Sequence, residues 1–225
     1  QIPTHGHTIS NNGNNNLLSD KDVAVQAVDK SQMYLTANKG LNMVQTKNTE
    51  ANAINVDDST VELTGYQNAI VNGEYHTKAY GQGIAVMAVN SADVSATATD
   101  LNNIQGAVQY TTKANVTITG DSNHNRSAAV VKDESDVDGV RTDQITSAVY
   151  TKDGGMISIT GNTTGTDYRN IIATSVDTSL GNNENVMKER TVWAENGTIS
   201  INGLTAIHAA NGSIDDTNSV GIALV

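Results

Sequence analysis

The chain has 225 residues, a formal net charge of −11 and a pI near 4.6, with no Cys, no Phe, one Pro and one Trp. That acidity disfavours nucleic-acid backbones and anionic membranes as partners, and the missing Cys excludes disulfides and Cys-bound metals. Hydrophobic residues make up only 37% while Asn and Thr each occur 27 times, which suits a thin core drawn out along a repeat better than one compact core.

At the N-terminus His5 and His7 lack an acidic partner and read as part of a loose tail, not a metal site. No stretch combines a charged region with an apolar run, so any signal peptide is expected to have been removed already, and no run of about 18 apolar residues spans a membrane. From Ala24 onward, eight blocks open with a small or polar residue followed by a β-branched aliphatic. They start at Ala24, Ala53, Ala85, Ala107, Ala129, Ala148, Asn170 and Thr191, spaced 29, 32, 22, 22, 19, 22 and 21 residues apart. The second position reads Val25, Ile54, Val86, Val108, Val130, Val149, Ile171 and Val192. A second strand follows within the block, clearest in Val116-Thr117-Ile118-Thr119-Gly120 and Ile157-Ser158-Ile159-Thr160-Gly161, where alternation buries the aliphatics and exposes Thr or Ser. Asn, Asp and Gly between strands suit left-handed turns, and Asn or Thr repeated in register predicts side-chain ladders. The pattern predicts an all-β solenoid of parallel rungs over residues 1–225, about 21 residues per rung. A 41-residue offset between the two best-matching blocks (Ala107 and Ala148) reads as two rungs because Ala129 intervenes. The end, Gly221 to Val225, reads as a strand cut through.

The two long spacings predict insertions near 37–50 and 66–83. The second holds Tyr66, Tyr75 and Tyr80 with flanking glycines, and Tyr75, His76, Lys78 and Tyr80 are the candidate binding residues. A longer, well-packed rung is the competing reading. Two residues after each start the column Gln26, Asn55, Met87, Gln109, Val131, Tyr150, Ile172, Trp193 is expected to face outward. It contains no carboxylate, Lys, Arg or His, which argues against catalysis on that face, and no Gly-x-Ser-x-Gly occurs. Its last four residues, Val131, Tyr150, Ile172 and Trp193, predict an exposed apolar stripe unless a neighbouring segment covers it. Asp136 and Asp138, preceded by Asp133 and Glu134, suggest a calcium loop, but Glu134 replaces the first Asp and Ile145 stands where a bidentate Glu belongs, so no metal is expected.

Thr191 to Gly203, Ala206 to Ile214 and Ala148 to Gly161 resemble the repeats of autotransporter passenger domains, the secreted part of type V secretion proteins. The resemblance covers about two-thirds of the chain and implies a right-handed parallel β-helix displayed at the cell surface through an outer-membrane β-barrel not included in this sequence. It further implies a cell-surface adhesin or aggregation (biofilm, virulence) protein, some members of the family being proteases or esterases with separate catalytic motifs. The column without catalytic groups is what argues against an enzyme, and no cofactor is expected. Its partner would be a protein or glycan on a host or neighbouring bacterial cell, with self-association possible through stacked faces, and neither nucleic acid nor direct membrane insertion is expected. A polysaccharide-degrading enzyme on the same scaffold and a purely structural stalk remain the alternatives.

Overall fold

The computed structural model describes residues 6–132, 144–176, 187–210 and 219–225, all of them strand, turn or coil. In chain order the first strands are β1 (Thr8–Asn12), β2 (Asn15–Ser19), β3 (Val25–Ala27), β4 (Gln32–Thr46), β5 (Ile54–Asp57), β6 (Thr60–Asn72) and β7 (Ile84–Val89). They are followed by β8 (Asp93–Gln105), β9 (Ala107–Thr111), β10 (Asn115–Thr119), β11 (Ser122–Ser127), β12 (Val130–Lys132), β13 (Gln144–Thr146) and β14 (Val149–Lys152). The last are β15 (Met156–Thr160), β16 (Asn170–Thr174), β17 (Met187–Glu195), β18 (Thr198–Asn202), β19 (Thr205–Ala209) and β20 (Ser219–Leu224).

These strands form two sheets that are parallel throughout, apart from the pairing of β12 with β13. The eleven-stranded sheet has two wings, because β4, β6 and β8 each run through both. Their first halves pair along β1-β4-β6-β8-β10-β15-β18, and their second halves join β2, β11, β16 and β19. The nine-stranded sheet stacks β3, β5, β7, β9, β14, β17 and β20 in that order. The chain therefore passes repeatedly from first wing to second wing to the nine-stranded sheet and back. Alternation sends one side chain in two inward, and Val61, Val94, Val116 and Ile157 of the first wing meet Ile70, Ile104 and Ile172 of the second. Ile54, Val86, Val108, Val149 and Val192 of the other sheet complete this single core. Each fully buried aliphatic contributes about 1.5–3 kcal/mol.

At the corner between the wings, Asn15, Asn42, Asn68, Asn102, Asn123 and Asn170 stack in register. Parallel pairing places like residues about 4.8 Å apart, a spacing a carboxamide bridges as both donor and acceptor. Each Nδ2 donates to the next Oδ1 at 2.7, 2.8, 2.9, 2.9 and 2.9 Å, and Asn170 donates to Thr205 Oγ1 at 3.0 Å. The same amides also donate to backbone carbonyls entering the corner, those of Thr64, Thr97, Thr119, Thr160 and Asn202 among them. Glycines make room for this ladder. A Cβ on Gly120 would sit 3.0 Å from Asn102 Nδ2, and one on Gly161 would overlap Asn170. The Asn ladder expected from composition is thus present, buried, and confined to one corner.

At the corner leading back to the first wing, residues in the left-handed region turn the chain: Asp29 and Lys30, Asn90 and Ser91, Thr112 and Lys113, Asp153 and Gly154. Asn, Asp and Gly tolerate that conformation, whereas Thr112, branched at Cβ, is held there against its preference.

The predicted rung length near 21 is met in one passage, from Val86 to Val108, and the other steps are longer. Val25, Ile54, Val86, Val108, Val149, Val192 and Ile222 pair successively, so Val108 and Val149, 41 residues apart, are direct neighbours. Val130 and Ile171 do not belong to this column. Val130 lies in the antiparallel β12–β13 hairpin, and Ile171 lies on the second wing beside the ladder residue Asn170. Both segments reproduce the local pattern of a rung start, and only long-range pairing separates them from one.

The ladder predicts an uneven stability map. Asn102→Ala removes a central link and leaves buried amide groups of Asn68 and Asn123 without their partner, costing about 3 kcal/mol. Asn15→Ala, at the ladder's end, should cost less than half of that. Urea unfolding of both variants measures the difference, and equal losses would show that the ladder is not cooperative.

Candidate functional site

Residues 73–83 leave the second wing after β6 and lie flat across its outer surface. Gly73, at φ 95°, turns the chain out while its N–H donates to Thr46 O at 2.8 Å and its carbonyl accepts from Gln45 Nε2 at 2.8 Å. His76 N–H then donates to Gln105 Oε1 at 3.4 Å, and Arg126 Nη1 donates to Thr77 O at 3.4 Å. Gly81 bonds both ways, its N–H to Arg126 O at 3.2 Å and its carbonyl to Ala128 N–H at 2.7 Å. A Cβ there would overlap the Gln105 backbone, so the segment is pressed onto the sheet. Gln45, Gln105 and Arg126 all point outward by alternation, which fixes the path across several strands. On this outward side Ala69, Val71, Asn103 and Gln105 are nonetheless buried.

Of the candidate binding residues, Tyr75 is 36% exposed, His76 and Lys78 are exposed, and Tyr80 is half-buried. Thr77, between His76 and Lys78, carries the Arg126 contact. His124, two residues before Arg126 on the same strand, has its pKa held below the usual histidine range, first by burial and then by the Arg126 charge. Tyr66, at 46% exposure, lies at the other end of the second wing's strand. Tyr168, in the 161–169 connection, is the most exposed aromatic among the described residues and was not singled out from sequence. Nothing about its short Asp-Tyr-Arg context distinguishes it from an ordinary turn.

The expected exposed stripe is corrected. Tyr150 and Trp193 do face outward from the nine-stranded sheet and are direct partners, with ring centroids 4.0 Å apart. Both are buried, Trp193 to 1% exposure, because the β12–β13 hairpin folds over them and supplies Val131 and Ile145 to a second apolar cluster. Val131 is therefore part of the cover, and Ile172 points into the main core from the second wing. Arg190 lies over the Trp193 ring at 4.9 Å, and Tyr150 Oη donates to Glu195 Oε2 at 3.0 Å. A covering segment displaces the stripe because two stacked aromatics carry enough apolar area to recruit one.

Beside the hairpin's second strand, Glu189 is buried and accepts from Thr174 Oγ1 at 2.9 Å and Ser219 Oγ at 3.4 Å. Thr174 in turn shares a 2.7 Å hydrogen bond with Thr191. Burial pushes the Glu189 pKa up, outweighing these hydroxyls and the nearby His208. Its seclusion suits structure more than proton transfer to a substrate.

Among the described residues no three His, Asp or Glu side chains gather to hold a metal ion. The calcium-loop motif at Asp136 and Asp138, and His5, lie outside the described residues. No family model, curated protein or solved structure matches the chain.

Because the folded pKa of Glu189 is raised, its protonated form is favoured in the native state. That contribution is complete below the unfolded value of about 4.3 and is lost as pH rises through the folded value. Glu189→Gln should therefore raise the melting temperature near neutral pH and change it little at pH about 4. Melting curves across this range check the sign, and an equal shift at both ends would refute it.

Proposed function

We propose that this chain is a right-handed parallel β-helix from the passenger of an autotransporter-like cell-surface protein, acting as an adhesin or aggregation factor. The repeated passage through three strand faces, the in-register stacking and the corner ladder support the β-helix reading. The resemblance of the 148–161 and 191–214 segments to passenger repeats supports the surface role. Its partner is a protein or glycan on a host or neighbouring cell, engaged through the 73–83 segment and the adjoining outer face. One observation carries this: Tyr75, His76 and Lys78 stand exposed on a segment fixed at both ends by backbone hydrogen bonds. A pre-positioned Tyr beside the Lys78 cation offers contact area at low ordering cost.

Beads coated with the chain should adhere to host cells, immobilised glycans or partner bacteria. Tyr75→Ala with Tyr80→Ala should weaken adhesion about tenfold, the loss of about 1.4 kcal/mol expected for a contact aromatic, while leaving the melting temperature close to wild type. Adhesion unchanged in that variant removes the segment from the reading. Failure of the wild-type beads to bind anything favours a stalk, and release of reducing ends from polysaccharide favours an enzyme.

A further inference from the structure

The outward column of the nine-stranded sheet runs Gln26, Asn55, Met87, Gln109, Tyr150, Trp193. Among the described residues, Val131 and Ile145 cover it at Tyr150 and Trp193, and Gln109 and Met87 lie further along the column. There a cavity of about 390 Å³ opens, with Met87 and Gln109 among its lining. Ile84 is on the return of the 73–83 segment and Val130 is at the hairpin's base. Glu50 and Asn52, on the connection before β5, also line it. Its volume falls in the range of about 300–1,000 Å³ typical of small-ligand sites. Gln109 is only 8% exposed, yet its Oε1 has no hydrogen-bond partner. A buried acceptor left unpaired costs about 1–3 kcal/mol, and here it belongs to a side chain lining a cavity. The amide's last torsion is soft, so it can rotate to meet a donor entering the cavity.

We infer that this cavity binds a single neutral N-acetylated amino sugar. The missing partner is an N–H or O–H donor, and the neighbouring surface is aliphatic: Ile84, Met87 and Val130. An acetamido group matches both, its N–H meeting Gln109 and its methyl meeting the aliphatic wall. The ring hydroxyls donate to the Glu50 carboxylate and pair with the Asn52 amide. Glu50 and the net charge of −11 disfavour acidic sugars. The cavity shares Gln82 and Gly83 with the 73–83 segment but does not include the exposed Tyr75, and the inference holds whether or not Tyr75 contacts a cell.

The test uses the 225-residue chain with methyl N-acetyl-β-glucosaminide, read by saturation-transfer NMR and calorimetry. Methyl β-glucoside and N-acetylneuraminic acid are the comparison probes. The acetamido sugar should bind at least about tenfold more tightly than either, a difference of about 1.4 kcal/mol. Gln109→Leu should reduce its affinity about tenfold or more by removing the acceptor. Since Gln109 is buried, Glu50→Ala with Asn52→Ala at the rim provides a second variant that leaves the sheet intact and should also weaken binding. Tyr75→Ala with Tyr80→Ala should leave sugar binding unchanged, which separates this site from the adhesion reading. Equal binding of the glucoside, preference for the acidic sugar, no binding at all, or wild-type affinity in both cavity variants would each overturn the assignment.

Discussion

In-register parallel stacking, locked at one corner by the Asn ladder, is the constraint on which the rest of this protein depends. A buried carboxamide is stable only if both its donor and acceptor are used, and in this geometry its partner is the same residue one rung away. Each passage of the chain must therefore return an Asn to the same place. Gly120 and Gly161 are small because the ladder occupies the space a Cβ would need. The opposite corner is constrained differently, by tight left-handed turns such as Asn90-Ser91 and Asp153-Gly154. The left-handed corner holds only short turns, whereas the ladder corner admits residues 38–40 and 162–169 beside it.

Most of the additional length goes to the third corner, where the second wing hands over to the nine-stranded sheet. Residues 47–53 and 73–83, with 128–132 and 144–147 among the described residues, all lie there, along one edge of the stack. Rungs are then free to differ, as the 22-residue step from Val86 to Val108 and the 41-residue step to Val149 illustrate. Such an edge suits recognition, because a rigid ladder positions segments whose sequence it does not restrict. The exposed Tyr75 and the cavity at Gln109 sit on neighbouring parts of that edge.

Much of this architecture was legible in the residues. Val25, Ile54, Val86, Val108, Val149 and Val192 form the column that their local pattern announced, and the outward residues Met87, Gln109, Tyr150 and Trp193 follow from it. What misled was the locality of the pattern. Ala129-Val130 and Asn170-Ile171 resemble rung starts, but one belongs to a covering hairpin and the other to the ladder. The ladder asparagines escaped individual detection because their distance from the preceding Gly varies, from Gly120-to-Asn123 to Gly161-to-Asn170. Side-chain period two shows which residues share a face; it does not show which of several similar segments is the next rung. The cavity was still less legible, since Glu50, Ile84, Gln109 and Val130 come from four separate connections or strands.

The fate of the aromatic pair explains why the cavity lies where it does. Tyr150 and Trp193, stacked on the outer surface, would expose two large rings side by side, a surface prone to non-specific association. The β12–β13 hairpin removes that hazard, burying both rings with Val131 and Ile145 and extending the sheet by pairing with β17. Further along, the column changes from Tyr150 to Gln109 and Met87, which carry no aromatic ring. At the cavity Ile84 and Val130 line one side, and Gln109 contributes a buried Oε1 without a hydrogen-bond partner. A binding site at this place needs no separate scaffold, because it is the margin of a segment whose first task is to protect Trp193.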